Sequence, residues 1–295
     1  MKTKKMLLWV LVYVLLTGLV SAADAPPAEP ATAASDTTQP AAADSSVTEQ
    51  APKHDPGDLA RKSQNPVSNM AVLPFQWNSY FQTGPKGKTQ NVLLIEPAVP
   101  FKLNEDWNFI ARPIIPLINQ PPFTDSQDRE YGLGNIQFEG FFAPNDKLGD
   151  WIVAFGPILE FPTNTDDQLG SDNWSAGPAF VALKMEGPWV YGALVNHLWS
   201  YHGNDPEVNQ TFMNPFINYN LKDGWYLASS PIMTANWSAD SSNTWTVPVG
   251  GGIGRVFHIG KQAVNARVSS YYNVETPDTG SDWQLQFQLS FLFPE

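Results

Sequence analysis

Between Trp283 and Phe293 the chain alternates: Trp283, Leu285, Phe287, Leu289, Phe291 and Phe293 fall on one parity, with Gln284, Gln286, Gln288 and Ser290 between them. A period of two is the signature of a β-strand, and a strand apolar on one side and amide-lined on the other separates two solvents. The same pattern recurs upstream. Trp107, Phe109, Ala111, Pro113, Ile115 and Leu117 share a parity opposite Arg112, and Trp151, Val153, Phe155, Pro157, Leu159 and Phe161 oppose Glu160. From Trp77 onward twelve such strands are expected, near 77–83, 90–102, 107–118, 131–143, 151–161, 173–184, 189–200, 208–220, 225–236, 245–257, 262–273 and 282–293. Their lengths suit strands that cross a bilayer at a tilt. The expected fold is an all-β, up-and-down antiparallel barrel over residues 67–295, spanning a bacterial outer membrane.

Connections support that reading. Tight turns such as Asn104–Asp106 and His258–Lys261 alternate with longer polar loops such as Asn119–Glu130 and Pro162–Asp172, as short periplasmic turns alternate with outer loops. Tryptophan marks the two rims, because its ring prefers the boundary between hydrocarbon and water. Trp77, Trp107, Trp151, Trp189 and Trp225 are expected at the periplasmic rim, and Trp174, Trp199, Trp237, Trp245 and Trp283 beside the outer loops. Ten residues separate Trp189 from Trp199. On a tilted strand that spans about 25 Å, one apolar band.

Upstream, Lys2, Lys4 and Lys5 precede an apolar run from Met6 to Val20 and the small residues Ser21, Ala22 and Ala23, so residues 1–23 read as a secretory signal peptide. Residues 24–66, rich in Ala, Pro, Asp and Thr, read as a disordered periplasmic linker. The piece VSNMAVLPFQ, from Val67 to Gln76, could form one amphipathic helical turn in the barrel mouth. With no cysteine, disulfides and thiolate metal sites are excluded, and a net charge of −12 argues against a nucleic-acid partner.

Inward parity places Glu96, Arg112 and Glu139 at similar height on three adjacent strands, with Glu160 and Arg267 in the same set of lumen charges. They form either a structural ladder that neutralises charge or a selective constriction. Pro97, Pro113, Pro116, Pro157, Pro178, Pro215, Pro231 and Pro248 lie within expected strands, where each removes a ladder donor. Bulges or inward kinks follow, and one of them could open the wall laterally.

Three further constellations carry weaker signals. His197, Ser200, His202 and Asp205 near the outer rim have the residue types of a hydrolase, while His54 lies in the linker and His258 at a turn. Asp166, Asp167 and Asp172 could hold calcium, yet lack the spacing of a calcium loop. Gly250, Gly251, Gly252 and Gly254 open no phosphate-binding helix and read as a bend in the wall. No cofactor or metal is expected.

The runs NPVSNMAVLPFQWNSYF, TQNVLLIEPAVPFKLNEDWNFIARPIIPLINQP, GLGNIQFEGFF, GPILEFPTNTDDQLGSDNWSAGP, GPWVYGALVNHLWS, VNQTFMNPFINYNLKDGW and WTVPVGGGIGRV together resemble the outer-membrane transporters grouped under the MetA-pathway of phenol degradation, often labelled neuromedin U. The resemblance covers nearly all of residues 65–295. It implies a barrel that passes small, aromatic or apolar solutes, with the lipid bilayer, lipopolysaccharide and the barrel-assembly machinery as partners. The Ala/Pro linker departs from the family pattern, and Pro294 and Glu295 follow Phe293 where many such barrels end on phenylalanine. An outer-rim hydrolase and a non-conducting structural barrel are the competing readings.

Overall fold

A computed structural model describes residues 54–203 and 206–294. The expected signal peptide, the linker up to residue 53, and Asp205 lie outside the described residues. The strand segments are β1 (Ala71–Thr83), β2 (Lys88–Ile95), β3 (Val99–Lys102), β4 (Trp107–Gln120), β5 (Glu130–Leu133), β6 (Ile136–Pro144), β7 (Trp151–Phe161) and β8 (Trp174–Glu186). They continue as β9 (Trp189–His202), β10 (Asn209–Asn220), β11 (Trp225–Ser229), β12 (Met233–Asn236), β13 (Trp245–Ile259), β14 (Gln262–Glu275) and β15 (Trp283–Phe293). β2 with β3, β5 with β6, and β11 with β12 are interrupted single staves, so the wall has twelve, as the periodicity predicts. Every neighbour pairs antiparallel, and β1 meets β15 from Ala71↔Phe293 to Phe81↔Trp283. That seam closes the ring and leaves no free edge.

Alternation holds in three dimensions. On β15, Gln284, Gln286 and Ser290 are buried while Leu285 and Phe287 face outward. The inner face, however, is not polar throughout. Ile110, Phe141, Ala154, Ile158, Val181, Leu183 and Val190 point inward and pack into one buried cluster with Val67. Apart from Ile158, which pairs with Glu139, they lie on the periplasmic half of β4 and β6–β9, where a twelve-strand barrel is narrow enough for inward side chains to meet. That half of the lumen is a dry core.

The N-terminal segment corrects the linker reading. Residues 56–63 are not extended chain but helix α1 (Pro56–Ser63). Asp55 is its N-cap and accepts from the Asp58 amide at 3.1 Å, Pro56 begins the first turn, and Arg61 and Lys62 sit in the last. Each suits the partial charge or missing partner at its end. Leu59 and Ala60 are fully buried against Met70, Tyr226, Ala228, Val256, Ala263 and Leu292. The helical turn expected between Val67 and Gln76 is absent, because Ala71–Gln76 already belong to β1. The amphipathic piece lies a few residues upstream, tucked into the periplasmic mouth.

Except at Pro248, where a bulge shifts the β13–β14 register, the prolines disturb the wall locally without moving its register. Pro157 faces Pro178 in an unshifted β7–β8 ladder. On their far sides rungs are lost: β6–β7 pairing skips Gly140 and Phe141, and β8–β9 pairing skips Gly177 and Pro178. Pro231 sits in the break between β11 and β12, while the ladders above and below keep one register against β10.

Because α1 is held by side-chain packing rather than by the ladder, Leu59→Asp should release it and spare the barrel. Burying an unpaired carboxylate costs several kcal/mol. The variant is expected to keep the heat-modifiable gel mobility of a folded barrel while trypsin gains access to Arg61 and Lys62. Loss of both together would show that α1 is part of the folding core.

Candidate functional site

Inside the ring lies a cavity of about 450 Å³, floored by Ser63, Gln64, Asn65, Pro66 and Ser68 from the N-terminal segment. The floor is tied to the wall by amides. Gln64 Nε2 donates to Asn220 Oδ1 at 2.9 Å, Asn220 Nδ2 donates back to Gln64 Oε1 at 3.0 Å, and Asn265 Nδ2 donates to Ser63 Oγ at 3.4 Å. Tyr226 stands behind them and donates its hydroxyl to Asn265 Oδ1 at 2.7 Å. Its ring fits because Gly254 carries no side chain: a Cβ there would meet the ring at 2.2 Å.

Four of the five expected lumen charges line this cavity: Glu96, Arg112, Glu139 and Arg267. Arg112 and Glu139 are direct cross-strand partners on β4 and β6. Arg112 Nη1 meets Glu139 Oε2 at 2.8 Å, and only 2% of the glutamate side chain is exposed. Glu139 Oε1 accepts a second bond, from Asn196 Nδ2 on β9 at 2.8 Å, which links non-adjacent staves. A carboxylate this deep is tolerated because both oxygens are bonded. Glu96, in the break between β2 and β3, sits within electrostatic range of Arg112, Glu139 and Arg267, but its side chain makes no hydrogen bond or ion pair among the described residues. Arg267 Nη2 donates to Gln286 Oε1 at 2.9 Å, while its buried Nε has no partner. Glu160 stands apart from the cavity, where it accepts from Gln137 Nε2 at 2.8 Å and Ser175 Oγ at 3.4 Å.

The cavity thus holds two acidic and two basic side chains, set among Gln76, Gln137, Gln210, Gln288 and Asn214 and the apolar Leu94, Ile114, Phe212 and Phe216. Such a lining has no strong preference for either sign of charge, and offers both hydrogen bonds and apolar contact. The N-terminal floor residues were invisible to strand periodicity. Their one signal is the Asp55-Pro56-Gly57-Asp58 start with Arg61-Lys62 at the end, a short helix-cap pattern inside an otherwise linker-like composition.

All ten tryptophans among the described residues stand on the outward parity of the wall or at its ends. Trp107, Trp151, Trp189 and Trp225 begin β4, β7, β9 and β11, and Trp174, Trp245 and Trp283 begin β8, β13 and β15 at the other rim. Trp199 lies near the end of β9, and Trp237 directly follows β12. Trp77 does not sit at a rim. β1 starts at Ala71, so Trp77 pairs with Leu93 and Phe287 in mid-wall, where Ser79 Oγ accepts its indole proton at 3.0 Å. Phe81 stacks on Trp283 at 4.0 Å, and Trp237 packs edge-on against Trp245 at 5.5 Å.

Among the described residues of the expected hydrolytic set, His197 and Ser200 do not meet. His197 faces outward, where Nδ1 lies 2.7 Å from Thr211 Oγ1 and Nε2 lies 3.1 Å from Asn209 Oδ1. Trp237 Nε1 donates to that same Thr211 oxygen at 2.8 Å. Ser200 Oγ is engaged with Val208, accepting its amide at 3.0 Å, and does not contact His197. In the acidic loop, Asp166 Oδ1 accepts from the Gln168 amide at 2.9 Å, and no cluster of metal-ligating side chains occurs among the described residues.

No protein-family profile matches the chain, and no curated protein matches it in sequence. Among solved structures it is similar to an outer membrane channel from Pseudomonas putida F1, with a TM-score of 0.56 and 13% identity over 76% of this chain and 94% of that one. It also matches the NanC porin at a TM-score of 0.46 and 12% identity, over 76% of this chain and 100% of that one. The first likeness establishes the fold. A closed antiparallel ring with an apolar outer face lets strands cross a bilayer with every ladder group paired, and the chain is a bacterial outer-membrane barrel.

Arg112→Met should leave Glu139 with only its bond to Asn196, at a cost of about 3–5 kcal/mol for stranding a buried charge. The expected result is a lower urea midpoint for unfolding in detergent. Adding Glu139→Gln should recover most of the loss. Equal stability, conductance and selectivity in wild type and Arg112→Met would remove any role for the pair.

Proposed function

We propose that the chain is a passive outer-membrane channel for small, weakly polar molecules, aromatic or apolar, closed from the periplasmic side by its own N-terminal segment. The observation that carries this reading is the luminal cavity: its four charges are balanced, its remaining lining mixes amides with phenyl rings, and its floor is the segment that follows helix α1 rather than a strand. Balanced charge favours neutral solutes over ions, and the phenyl and aliphatic contacts favour aromatic ones. The resemblance to the MetA-pathway transporters suggests the same solute class. No step calls for a cofactor or an energy source, and the reading assigns no catalysis. In this reading Glu96, Arg112, Glu139 and Arg267 hold the constriction's shape and Glu160 stabilises the outer half. Lipopolysaccharide contacts the outer tryptophan rim, and the assembly machinery reads the strand that ends at Phe293.

A second reading, a barrel that conducts nothing, is favoured by the dry packing of the periplasmic half around Phe141 and Val190. The two separate at the floor. Gln64 and Asn220 exchange reciprocal side-chain bonds, and the chain has no native cysteine, so Gln64→Cys with Asn220→Cys creates a single reversible lock. In planar bilayers the reduced variant is expected to show unitary openings and the oxidised one to stay silent. Identical traces in both states would show that this segment is not the gate, and silence even after deletion of residues 54–64 would establish the non-conducting barrel.

A further inference from the structure

The wall carries one break that differs from the others. Between Ala228↔Gly252 and Thr234↔Thr246, residues 229–233 and 247–251 face each other across β11–β12 and β13 with no ladder pair. On the opposite flank β10 pairs with Ile217↔Ser229 and again with Met213↔Met233, leaving residues 230–232 unpaired there as well. Ser230, Pro231 and Ile232 therefore make no main-chain bond to either neighbour. The break at Pro97 is unlike this: there the Glu96 amide donates to Pro74 O at 3.2 Å and Ala98 exchanges bonds with Val72. At Pro157 and Pro178 one full ladder survives.

Side chains hold the loose segment instead. Asn214 Nδ2 donates to Ser230 Oγ at 3.0 Å and to Pro231 O at 2.9 Å, and the Ser230 amide donates to the Tyr271 hydroxyl at 3.1 Å. Tyr271 sits between two hollows. Ser230 and Ile232, which its hydroxyl helps to fix, line the luminal cavity. A second hollow, of about 350 Å³ on the outer face, is bordered by Val249, Gly250, Gly251, Ser270, Tyr271 and the outward Tyr272 and Trp283. The missing side chains of Gly250 and Gly251 thin the wall where the ladder is absent, and Val249 beside them is 59% exposed toward lipid.

We infer that this seam is a side portal through which an apolar or aromatic solute leaves the lumen for the bilayer, with Tyr271 and the Ser230–Ile232 segment as its gate. The inference rests on the channel reading above and adds a route to it. A side-chain latch can open by rotamer changes while the ladders above and below, which share one register, hold the staves together. A solute that prefers hydrocarbon avoids the floor and the periplasmic water beyond it. A sugar has no such exit and must pass the floor.

In the register set by the flanking pairs, Ile232 faces Pro248 across the seam. Ile232→Cys with Pro248→Cys places a removable cross-link there, and Tyr271→Phe removes the latch without a cross-link. Two probes are used: N-phenyl-1-naphthylamine uptake by cells producing the protein, read as fluorescence when it enters the membrane, and arabinose entry into proteoliposomes, read as swelling. The proposal expects the oxidised cross-link to reduce naphthylamine uptake to that of cells lacking the protein, reductant to restore it, and arabinose swelling to stay unchanged. Tyr271→Phe is expected to raise naphthylamine uptake above wild type. A cross-link that alters neither probe, or both alike, overturns the portal, as does a wild type that passes arabinose but no naphthylamine; in that last case the channel reading survives. A wild type that passes neither overturns both.

Discussion

Main-chain hydrogen bonding in hydrocarbon is the constraint from which the rest follows. An unpaired amide or carbonyl in the bilayer costs several kcal/mol, so a strand-built span must close on itself. Here β15 returns to β1 along Ala71↔Phe293 to Phe81↔Trp283, and the twelve staves share the requirement equally. Each proline in a stave breaks the rule at one point. Where Pro157 faces Pro178, two residues without N–H groups meet on one rung and the losses pass to the outer flanks. At Ser230–Ile232 the compensation comes from Asn214 and Tyr271 instead. A wall bonded partly by side chains has a place where it can yield.

Closure also fixes the interior. Twelve staves enclose a lumen too narrow to stay empty, so inward side chains meet and must be either apolar or fully bonded. The periplasmic half takes the first solution, with Phe141, Ala154 and Leu183, and Glu139 in the cavity takes the second. Glu139 shows the logic at one residue: its desolvated carboxylate is stable only because Arg112 and Asn196 occupy both oxygens. Helix α1 completes the lower end. Leu59 and Ala60 add to the apolar packing, and Gln64 continues the amide network.

Much of this was legible in advance where the signal was local. The staves, their order and the inward parity of Glu96, Arg112, Glu139 and Arg267 follow from alternation and turn length alone. Trp77 resembles in sequence the rim tryptophans that begin other strands, yet β1 starts at Ala71, ahead of Pro74, a residue that reads as a strand breaker. The helix at Pro56–Ser63 is not legible as such, because eight residues of mixed polarity carry no stable helical preference in isolation. Only docking against Tyr226 and Leu292 gives α1 its stability. His197 and Ser200 are near in sequence, yet strand parity separates them onto opposite faces and hands His197 to Thr211 and Asn209 on the next stave.

The sequence by itself determined that this chain crosses a membrane as strands, since a period of two with apolar and amide faces specifies which side meets lipid without reference to any distant residue. The tertiary structure decided what stands inside the ring and where the ring is weak. Those outcomes depend on register between staves, on which side chains reach across the lumen, and on whether a short upstream segment finds a surface to bury against. Such contacts join residues far apart along the chain, and no local pattern records them.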